Sequence, residues 1–486
     1  MTGVHWLRWG WCCAALLCGA ASATPPQPCH LKGVVHAALC GSVQRPLDPA
    51  RPQGTTIDVY YAVLPALARN KLSDPVFFIA GGPGQSAIEL AGPLAAQFAR
   101  LSNRRDLVFV DQRGTGRSAP LRCDDDSDAL RPLAETVDDA LQLQRLSACR
   151  VRLRALPHGD LRHYGTTPAM ADLDAVRAAL GAPRINLVGA SYGTRAALEY
   201  MRLFPNAVRR AVLDGVAPAD MVLPASFSAD NQSALDGLFD WCAADADCRT
   251  RHPALRQRWL ALLDSLPREV TLTHPYSGRE ERVRLTREAV LGMVRTPLYV
   301  PALAAALPQA IVDAADGRFA PLTGLAAAMG GPGRTLYSGM HFSVVCTEDL
   351  PRLSLATEPD GAQFGQAFVR VYQRACADWP RGVVDPAFYT TPAAPAPTWL
   401  LSGGDDPATP PRHAERVRRA LGSKARHTVV AHGGHGVMSV ACLRDAVQRF
   451  IDAADDDEAL TLNVECAAAV PRPRVYVPLA RASGSR

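Results

Sequence analysis

The sequence predicts an α/β fold, in which a mostly parallel β-sheet is flanked by helices and a largely helical cap is inserted between two strands. Short, continuously apolar runs alternate with helical patterns in much of the chain, and this alternation is typical of buried parallel strands. The alternation stops after Asp214, gives way to successive helical patterns, and returns at Thr398. We therefore expect one sheet whose strands come from both sides of an inserted segment.

Seven apolar runs are predicted to be strands of this sheet: 57–63, 76–80, 107–111, 185–190, 208–214, 398–402 and 428–431. The intervening helical patterns cover 233–243, 253–265, 287–294, 301–315 and 362–375. Two alternating segments among them, 269–273 and 281–285, are predicted to pair as a hairpin. The resulting domain organisation is a signal peptide (1–23), the first part of the core (24–217), a helical cap (218–396) and the second part of the core (397–486). Gly330 to Gly333 is the expected hinge within the cap, and 392–397 is the expected linker back to the sheet.

The amino terminus has the composition of a secretory signal peptide. A basic residue, Arg8, precedes an apolar run over 9–17, and the small residues Ala21, Ser22 and Ala23 follow. We expect cleavage after Ala23 and a periplasmic or secreted protein. No later apolar run reaches about 18 residues, so no membrane span is expected in the mature chain.

Composition is that of a globular enzyme. The 486 residues are 48% apolar and 20% charged, with a formal net charge of only +5. No basic stripe with interleaved aromatic residues suggests nucleic acid as a partner. The sequence leaves the oligomeric state open.

Ten cysteines remain after the signal peptide, and they form five pairs of sequence neighbours. The pairs are Cys29 with Cys40, Cys123 with Cys149, Cys242 with Cys248, Cys346 with Cys376, and Cys442 with Cys466. An even number behind a signal peptide favours disulfide bonds in an oxidising compartment, and buried thiols are the alternative. No C-x-x-C spacing or Cys/His cluster indicates a metal site.

The segment Gly189-Ala-Ser191-Tyr-Gly193 lies between a predicted strand and a predicted helix. A serine at the tip of such a strand–turn–helix is exposed above the sheet, and the flanking glycines allow the backbones to approach closely. The pattern therefore predicts Ser191 as a nucleophile. A serine hydroxyl is a weak nucleophile at neutral pH, so it needs a base, and the base needs an orienting acid.

Candidates for the acid and the base follow the last two predicted strands. Asp406 is preferred to Asp405 as the acid because it directly precedes Pro-Ala-Thr-Pro, and Asp214 at the end of an earlier strand is an alternative. His435, between two glycines, is preferred to His432 as the base. The order Ser, Asp, His, with each residue at the carboxyl end of a strand, is that of α/β-hydrolases.

Two backbone amides are expected to stabilise the oxyanion of an acyl-transfer intermediate. One belongs to Tyr192, directly after the nucleophile, and the other to Gly82 in the Gly-rich loop after strand 76–80. In the segment that follows strand 107–111, Asp111 and Arg113 are expected to brace this loop as a charged pair. No dinucleotide or Walker motif is present, and no cofactor is implied.

These motifs together resemble those of the prolyl and tripeptidyl aminopeptidase family of α/β-hydrolase serine peptidases. The matching segments are Ala-Gly-Gly-Pro-Gly (80–84), Asp-Gln-Arg-Gly-x-Gly-x-Ser (111–118), Gly-x-Ser-Tyr-Gly (189–193), Asp-Pro-Ala-Thr-Pro (406–410) and Gly-His-Gly (434–436). The resemblance covers nearly all of the mature chain, including the cysteine-containing C-terminal region. It implies catalytic Ser191, Asp406 and His435, and release of residues from a free peptide amino terminus. One departure is Ala80, at a position where the family often has histidine.

An aminopeptidase must bind the ammonium group of its substrate, which a buried carboxylate does best. The resemblance points to carboxylates of the cap, and Glu348 is our candidate; the alternative is that Glu348 and Asp349 form a structural pair. The leading functional hypothesis is a secreted serine aminopeptidase acting on peptides with a free amino terminus. A carboxylesterase or lipase-like hydrolase would use the same three residues, and a binding protein that kept the fold is a third class.

Overall fold

The structure is a computed structural model that describes residues 23–123, 130–329, 336–356 and 359–477. Apart from Ala23, the predicted signal peptide lies outside the described residues, and so does the hinge predicted at Gly330 to Gly333. None of the helices in these ranges combines the length and apolarity that crossing a membrane requires.

Nine strands of the described chain form one sheet, and two more form a hairpin. In chain order they are β1 (Ala23–Cys29), β2 (Ala38–Pro46), β3 (Thr56–Leu64), β4 (Val76–Ile79), β5 (Leu107–Val110), β6 (Ile185–Ala190), β7 (Val208–Asp214), β8 (Arg268–Thr273), β9 (Glu280–Leu285), β10 (Thr398–Gly403) and β11 (Ala425–Val430). The sheet has the order β1-β2-β3-β5-β4-β6-β7-β10-β11, and β8 pairs with β9. The strands from β5 to β11 in this order are parallel, whereas β1, β2 and β3 are antiparallel to their neighbours.

All seven predicted strands and the predicted hairpin are present, although β11 begins at Ala425 instead of Thr428. The sequence reading missed β1 and β2. The reason is visible in β1, which contains Pro25, Pro26 and Pro28 and lies at the edge of the sheet, where missing N–H donors are tolerated. The strand propensity of its residues therefore does not predict β1. Its extended conformation depends on antiparallel pairing with β2.

Both faces of the sheet are buried. Neighbouring residues of one strand point to opposite sides, so Phe77 and Leu187 join one hydrophobic cluster while Phe78 and Val188 join another. This explains why β4 and β5 are apolar throughout and do not alternate. The carboxyl ends of the parallel strands consequently meet at one edge, which is where such sheets place their sites.

The described helices fall into two groups, before and after residue 217. The first group is α1 (Ala91–Gln97), α2 (Leu133–Val137), α3 (Asp139–Arg154), α4 (Thr166–Ala179) and α5 (Tyr192–Leu203). The second is α6 (Leu223–Ala244), α7 (Ala246–Arg251), α8 (Leu255–Asp264), α9 (Arg287–Leu298), α10 (Pro301–Ala304), α11 (Leu307–Ala315), α12 (Ala320–Ala327), α13 (Ser338–Val344), α14 (Ala367–Cys376), α15 (Pro411–Leu421), α16 (Ala441–Asp452) and α17 (Asp456–Thr461).

The segment between β7 and β10, residues 218–396, contributes no described strand to the large sheet. We call it the cap segment. It supplies most of one hydrophobic cluster, with Trp259, Leu285 and Ile311 among its fully buried members, and Leu133 and Val475 join that cluster from outside the segment. The predicted domain boundaries at 217/218 and 396/397 stay a prediction.

Five disulfide bonds connect the cysteines in the predicted pairs of sequence neighbours. One of them, Cys346–Cys376, joins a π-helical turn at Val345–Asp349 to the end of α14. Disulfide bonds are typical of proteins folded in oxidising compartments. The bonds are therefore compatible with a protein that leaves the cytoplasm.

Candidate active site

Ser191 occupies a sharp turn between β6 and α5. Its backbone has φ 55° and ψ −125°, a conformation that is uncommon for a residue with a side chain. The turn requires glycine at its flanks, since a Cβ on Gly193 would lie 2.2 Å from the carbonyl oxygen of Ile79 and one on Gly189 would lie 2.6 Å from that of Gly193. The predicted elbow geometry is therefore what the structure contains, with Ser191 lining a cavity at the carboxyl edge of the sheet.

Asp406 and His435 come together beside this turn. Nδ1 of His435 lies 2.9 Å from Oδ2 and 3.1 Å from Oδ1 of Asp406. Asp406 is held in turn by the amides of Ala408 and Thr409 and by the Thr409 hydroxyl, which donates over 2.8 Å. Because an ionised carboxylate can only accept, Nδ1 of His435 carries its hydrogen and Nε2 has a lone pair that can take a proton.

Ser191 and His435 are linked through the end of β7. The amide of Ser191 donates to the carbonyl of Asp214 over 2.9 Å, and the next residue, Gly215, abuts the imidazole. A Cβ on Gly215 would lie 3.2 Å from Cε1 of His435, and its φ of +65° also favours glycine. The amide of His435 donates to the Tyr299 carbonyl over 2.9 Å, and the two rings meet edge to face at 5.1 Å.

The other two candidate acids have different partners. The carboxylate of Asp214 accepts hydrogen bonds from the amides of Val437 and Met438. It therefore braces the loop that carries His435. Asp405 accepts from Arg472 over 2.6 Å and 2.7 Å, and its Oδ2 lies 3.9 Å from Nδ1 of His432. Of the three, it is Asp406 whose carboxylate contacts the imidazole of His435.

Burial and charge set the protonation states of this pair. Burial disfavours the imidazolium of His435, but the Asp406 carboxylate outweighs it and raises the pKa of His435 above its ordinary value. For Asp406, burial favours the neutral acid, but His435 and the donated hydrogen bonds hold its pKa below the usual range. Burial raises the pKa of Asp214 to about 6 despite its two amide donors. The arrangement thus favours an ionised Asp406 next to a His435 that gains a proton readily.

The predicted oxyanion loop lies against Ser191. A Cβ on Gly81 would be 3.1 Å from Cβ of Ser191, and Gly82, with φ +109°, lines the same cavity. The amide of Tyr192 is at the start of α5, directly after the serine. Gly82 and Tyr192 therefore both line the cavity that Ser191 lines, and their role as oxyanion donors stays a prediction.

Asp111 supports this loop, but not as half of a charged pair. Its Oδ1 accepts from the Ser86 hydroxyl over 2.5 Å and from the amide of Ile88 over 3.2 Å. Arg113 makes a bidentate contact with Asp172 instead, over 2.7 Å and 2.8 Å. The expected pair of Asp111 with Arg113 was wrong because the buried Arg113 satisfies its planar donors on Asp172 of α4.

The cap segment also holds the oxyanion loop. The amide of Tyr337 donates to the carbonyl of Gly84 over 2.8 Å. Nδ1 of His341 lies 3.1 Å from the carbonyl oxygen of Pro83, and its Nε2 lies 2.9 Å from the hydroxyl of Tyr372. Burial lowers the pKa of His341 to about 4. His341 is therefore neutral, with Nδ1 donating and Nε2 accepting.

A cavity of about 340 Å³ opens at Ser191 between the core and the cap segment. From the core it is lined by Ser191, Gly82, Tyr192, Arg195, Ala408 and Thr409, among others. From the cap segment it is lined largely by aromatic residues and one cation: Phe227, Arg295, Tyr299, His341, Phe342 and Tyr372. The volume suits a few amino-acid side chains or an acyl group.

Glu348 is buried beside Thr166 and Arg195. Its carboxylate accepts from the amide and the hydroxyl of Thr166, over 2.6 Å and 2.8 Å, and Oε2 lies 3.7 Å from Arg195. The hydroxyl of Tyr192 is 2.7 Å from that of Thr166. Burial raises the pKa of Glu348 to about 7. Glu348 is absent from the described lining of the cavity, so its role as the amine receptor stays a prediction.

The sequence reading missed the residues that the cap segment adds to the site. Arg295, Tyr299, His341 and Tyr372 lie in helical patterns or loops with no motif around them. The sequence contains a partial signal. Arg295 and Tyr299 are four residues apart, a spacing that places both side chains on the same face of a helix. That signal does not reveal that this face points at His435.

Comparisons with known proteins show which family this chain resembles. The family profile of the α/β hydrolase fold matches residues 74–301, and that of TAP-like proteins matches 361–461. A tripeptidyl aminopeptidase of Streptomyces coelicolor is 27% identical, covering 89% of this chain and 84% of its own. Serine protease Hip1 of Mycobacterium bovis is 30% identical, covering 82% of each chain. Carboxylesterase B of Mycobacterium tuberculosis is 29% identical, covering 86% of this chain and 84% of its own.

Proposed function

Because the chain belongs to the α/β-hydrolase serine peptidases that carry a TAP-like C-terminal region, we propose that it is a secreted aminopeptidase working through an acyl-enzyme on Ser191. It would cleave peptide bonds near a free amino terminus and release a prolyl residue, a dipeptide or a tripeptide. The observation that carries the proposal is the hydrogen bond of His435 to Asp406 beside the turn of Ser191. The relative named tripeptidyl aminopeptidase supports the specificity.

In the proposed reaction Oγ of Ser191 attacks the scissile carbonyl while Nε2 of His435 takes the hydroxyl proton. The negative oxygen that forms would accept hydrogen bonds from the amides of Gly82 and Tyr192. His435 then gives its proton to the departing amine, which leaves an ester on Ser191. Water, deprotonated by His435, hydrolyses that ester and frees the enzyme. Asp406 stays ionised throughout and stabilises the imidazolium.

The free amino terminus would be held by Glu348. Its burial supports this role, because an ammonium ion would stabilise the charged form of a carboxylate whose pKa is about 7. Binding requires that the substrate reach past Tyr192 or that the side chains of Tyr192 and Thr166 shift. Secretion is supported by the signal-peptide pattern over residues 1–23 and by the five disulfide bonds.

A secreted carboxylesterase is the second candidate. Two observations favour it: a carboxylesterase B is among the relatives, and the described lining of the cavity includes no carboxylate. The fold and the three proposed catalytic residues serve ester and amide hydrolysis alike.

The deciding experiment compares matched chromogenic peptides with free and acetylated amino termini and a short-chain ester, for the purified mature protein and Ser191→Ala. We expect turnover of the free-amine peptides and a loss in kcat on the order of 10⁶-fold in the variant, since the nucleophile is gone. An unchanged thermal unfolding midpoint in the variant serves as the folding control. Equal turnover of blocked peptides, or turnover of the ester alone, would exclude an aminopeptidase and favour the esterase.

A further inference from the structure

Two arginines line the cavity, and their surroundings differ. Arg195 of α5 is fully buried and makes two contacts of 3.0 Å with the carboxylate of Asp349, and Glu348 is also near. Its charge is therefore balanced within the protein. Arg295 of α9 is half-buried, and within the described ranges no carboxylate lies within 4.0 Å of its guanidinium. Arg295 thus brings an uncompensated positive charge to the cavity.

Aromatic rings hold the guanidinium of Arg295 in place. It lies 5.0 Å from the ring centre of Phe227, 5.2 Å from that of Phe368 and 5.4 Å from that of Tyr299. Its Nη2 donates to the Tyr299 hydroxyl over 2.8 Å, which is the one hydrogen bond it makes among the described residues. Its Nε is buried without a partner. A guanidinium has five N–H donors, so most of this group's capacity is unused.

Two acidic groups close enough to influence Tyr299, the hydrogen-bond partner of Arg295, have other partners. Asp406 and Asp230 both interact electrostatically with Tyr299. However, Asp406 is hydrogen-bonded to His435, and Asp230 is bound by His413 and Arg412. The imidazole of His341 also lines the cavity, but it is neutral because burial lowers its pKa to about 4. Arg295 is therefore the group in this cavity that a negatively charged ligand would meet.

We propose that Arg295 binds a carboxylate of the substrate, so that the enzyme prefers substrates with a negative charge close to the scissile bond. This deepens the proposed function and rests on it. A rigid, planar guanidinium fits a carboxylate with two parallel hydrogen bonds, and partial burial strengthens them. The carboxylate can be an acidic side chain of the released residues or the terminal carboxylate of a short peptide.

The first test compares p-nitroanilides of Ala-Ala-Glu and Ala-Ala-Gln, which have similar shapes and differ in charge. The second compares tetra-alanine as the free acid and as the amide, which identifies the terminal carboxylate as the source. In whichever pair carries the recognised group, we expect the wild type to favour the acid by about 10- to 100-fold in kcat/KM. Arg295→Gln should abolish that preference while still hydrolysing the neutral substrate.

Two further variants separate charge from packing. Arg295→Lys keeps the charge without the planar donors and should keep part of the preference. Tyr299→Phe removes the hydrogen bond to Arg295 and keeps its charge, so the ratio of acidic to neutral substrate should persist even if both rates fall. If the role of Arg295 were only structural, its replacement would lower kcat/KM for the acidic and the neutral substrate equally.

Binding to Ser191→Ala by calorimetry tests the same point without turnover, and so separates it from the proposed reaction. The acid of the pair that carries the recognised group should bind this variant at least about 10-fold more tightly than its neutral partner, and adding Arg295→Gln should remove the difference. The proposal fails if neither pair of substrates shows a preference for the acid, or if that preference survives in Arg295→Gln. Lack of peptide turnover with retained, Arg295-dependent binding would instead reject the aminopeptidase and keep the carboxylate site.

Discussion

The two sides of the cavity are built differently. On the core side, Asp214 accepts from amides of the loop that carries His435 through its carboxylate, and from the amide of Ser191 through its carbonyl. The carboxylate of Asp406 accepts from two amides of its own turn. On the cap side, aromatic rings surround Arg295, most of whose donors are unused. The core side is therefore pre-organised before any substrate arrives, whereas on the cap side the unused donors of Arg295 stay available to a ligand.

After the loss of the nucleophile in Ser191→Ala, the largest expected effect comes from breaking the core side at Asp406. Asp406→Asn should lower kcat by a factor on the order of 10⁴, because the amide can donate to Nδ1 and so favours the wrong tautomer of His435. The measurement is kcat on a free-amine peptide. The matched control is Asp405→Asn, since the neighbouring carboxylate binds Arg472 and is 3.9 Å from His432. Comparable losses in both variants would contradict the assignment of Asp406.

A smaller effect, selective for peptides with a free amino terminus, is expected when Glu348 is replaced. If Glu348 holds the substrate ammonium, Glu348→Gln should reduce kcat/KM for free-amine peptides by about 30-fold or more and leave acetylated peptides unchanged. The matched control is Asp349→Asn, because Asp349 is adjacent to Glu348 and binds Arg195, which also lies near Glu348. We expect Asp349→Asn to reduce the stability of the protein and to lower kcat/KM for both kinds of peptide alike. An equal loss on both substrates in Glu348→Gln would assign Glu348 to the structural cluster of Arg195.

The smallest effect sharpens the comparison through pH. The proposed base must be neutral to act, and the Asp406 carboxylate raises the pKa of His435 above the ordinary 6.5. Activity should therefore rise with pH through a midpoint above 6.5, and replacing Asp406 with asparagine should move that midpoint downwards. The measurement is kcat/KM between about pH 5 and 9.

Glu348→Gln is the control for this profile, because the pKa of Glu348, about 7, lies in the same range. The midpoint assigned to His435 should persist in that variant on acetylated peptides or an ester. If the midpoint vanishes instead, the titration belongs to Glu348.

Much of the core side was predictable because its signals are local. The glycines around Ser191, the Asp406 segment before Pro-Ala-Thr-Pro and the glycines around His435 each specify a turn within a few residues. Apolar runs of four residues likewise give the central strands β4 and β5, since burial on both faces leaves no polar alternation. The prolines of β1 show the limit of this reasoning, because pairing with β2 determines that strand.

The sequence by itself determined the seven predicted strands of the sheet, the turn of Ser191 and the loops from which the proposed acid and base come, and it suggested the cysteine pairs. Only the tertiary structure decided which charges meet. Arg113 pairs with Asp172 across 59 residues, and Glu348 binds Thr166 across 182, contacts that no local pattern encodes. Arg295 faces the cavity for the same reason, since the partner of a buried charge depends on which elements pack together. Hydrophobic period and turn geometry act over a few residues, whereas charge pairing acts through space between distant parts of the chain.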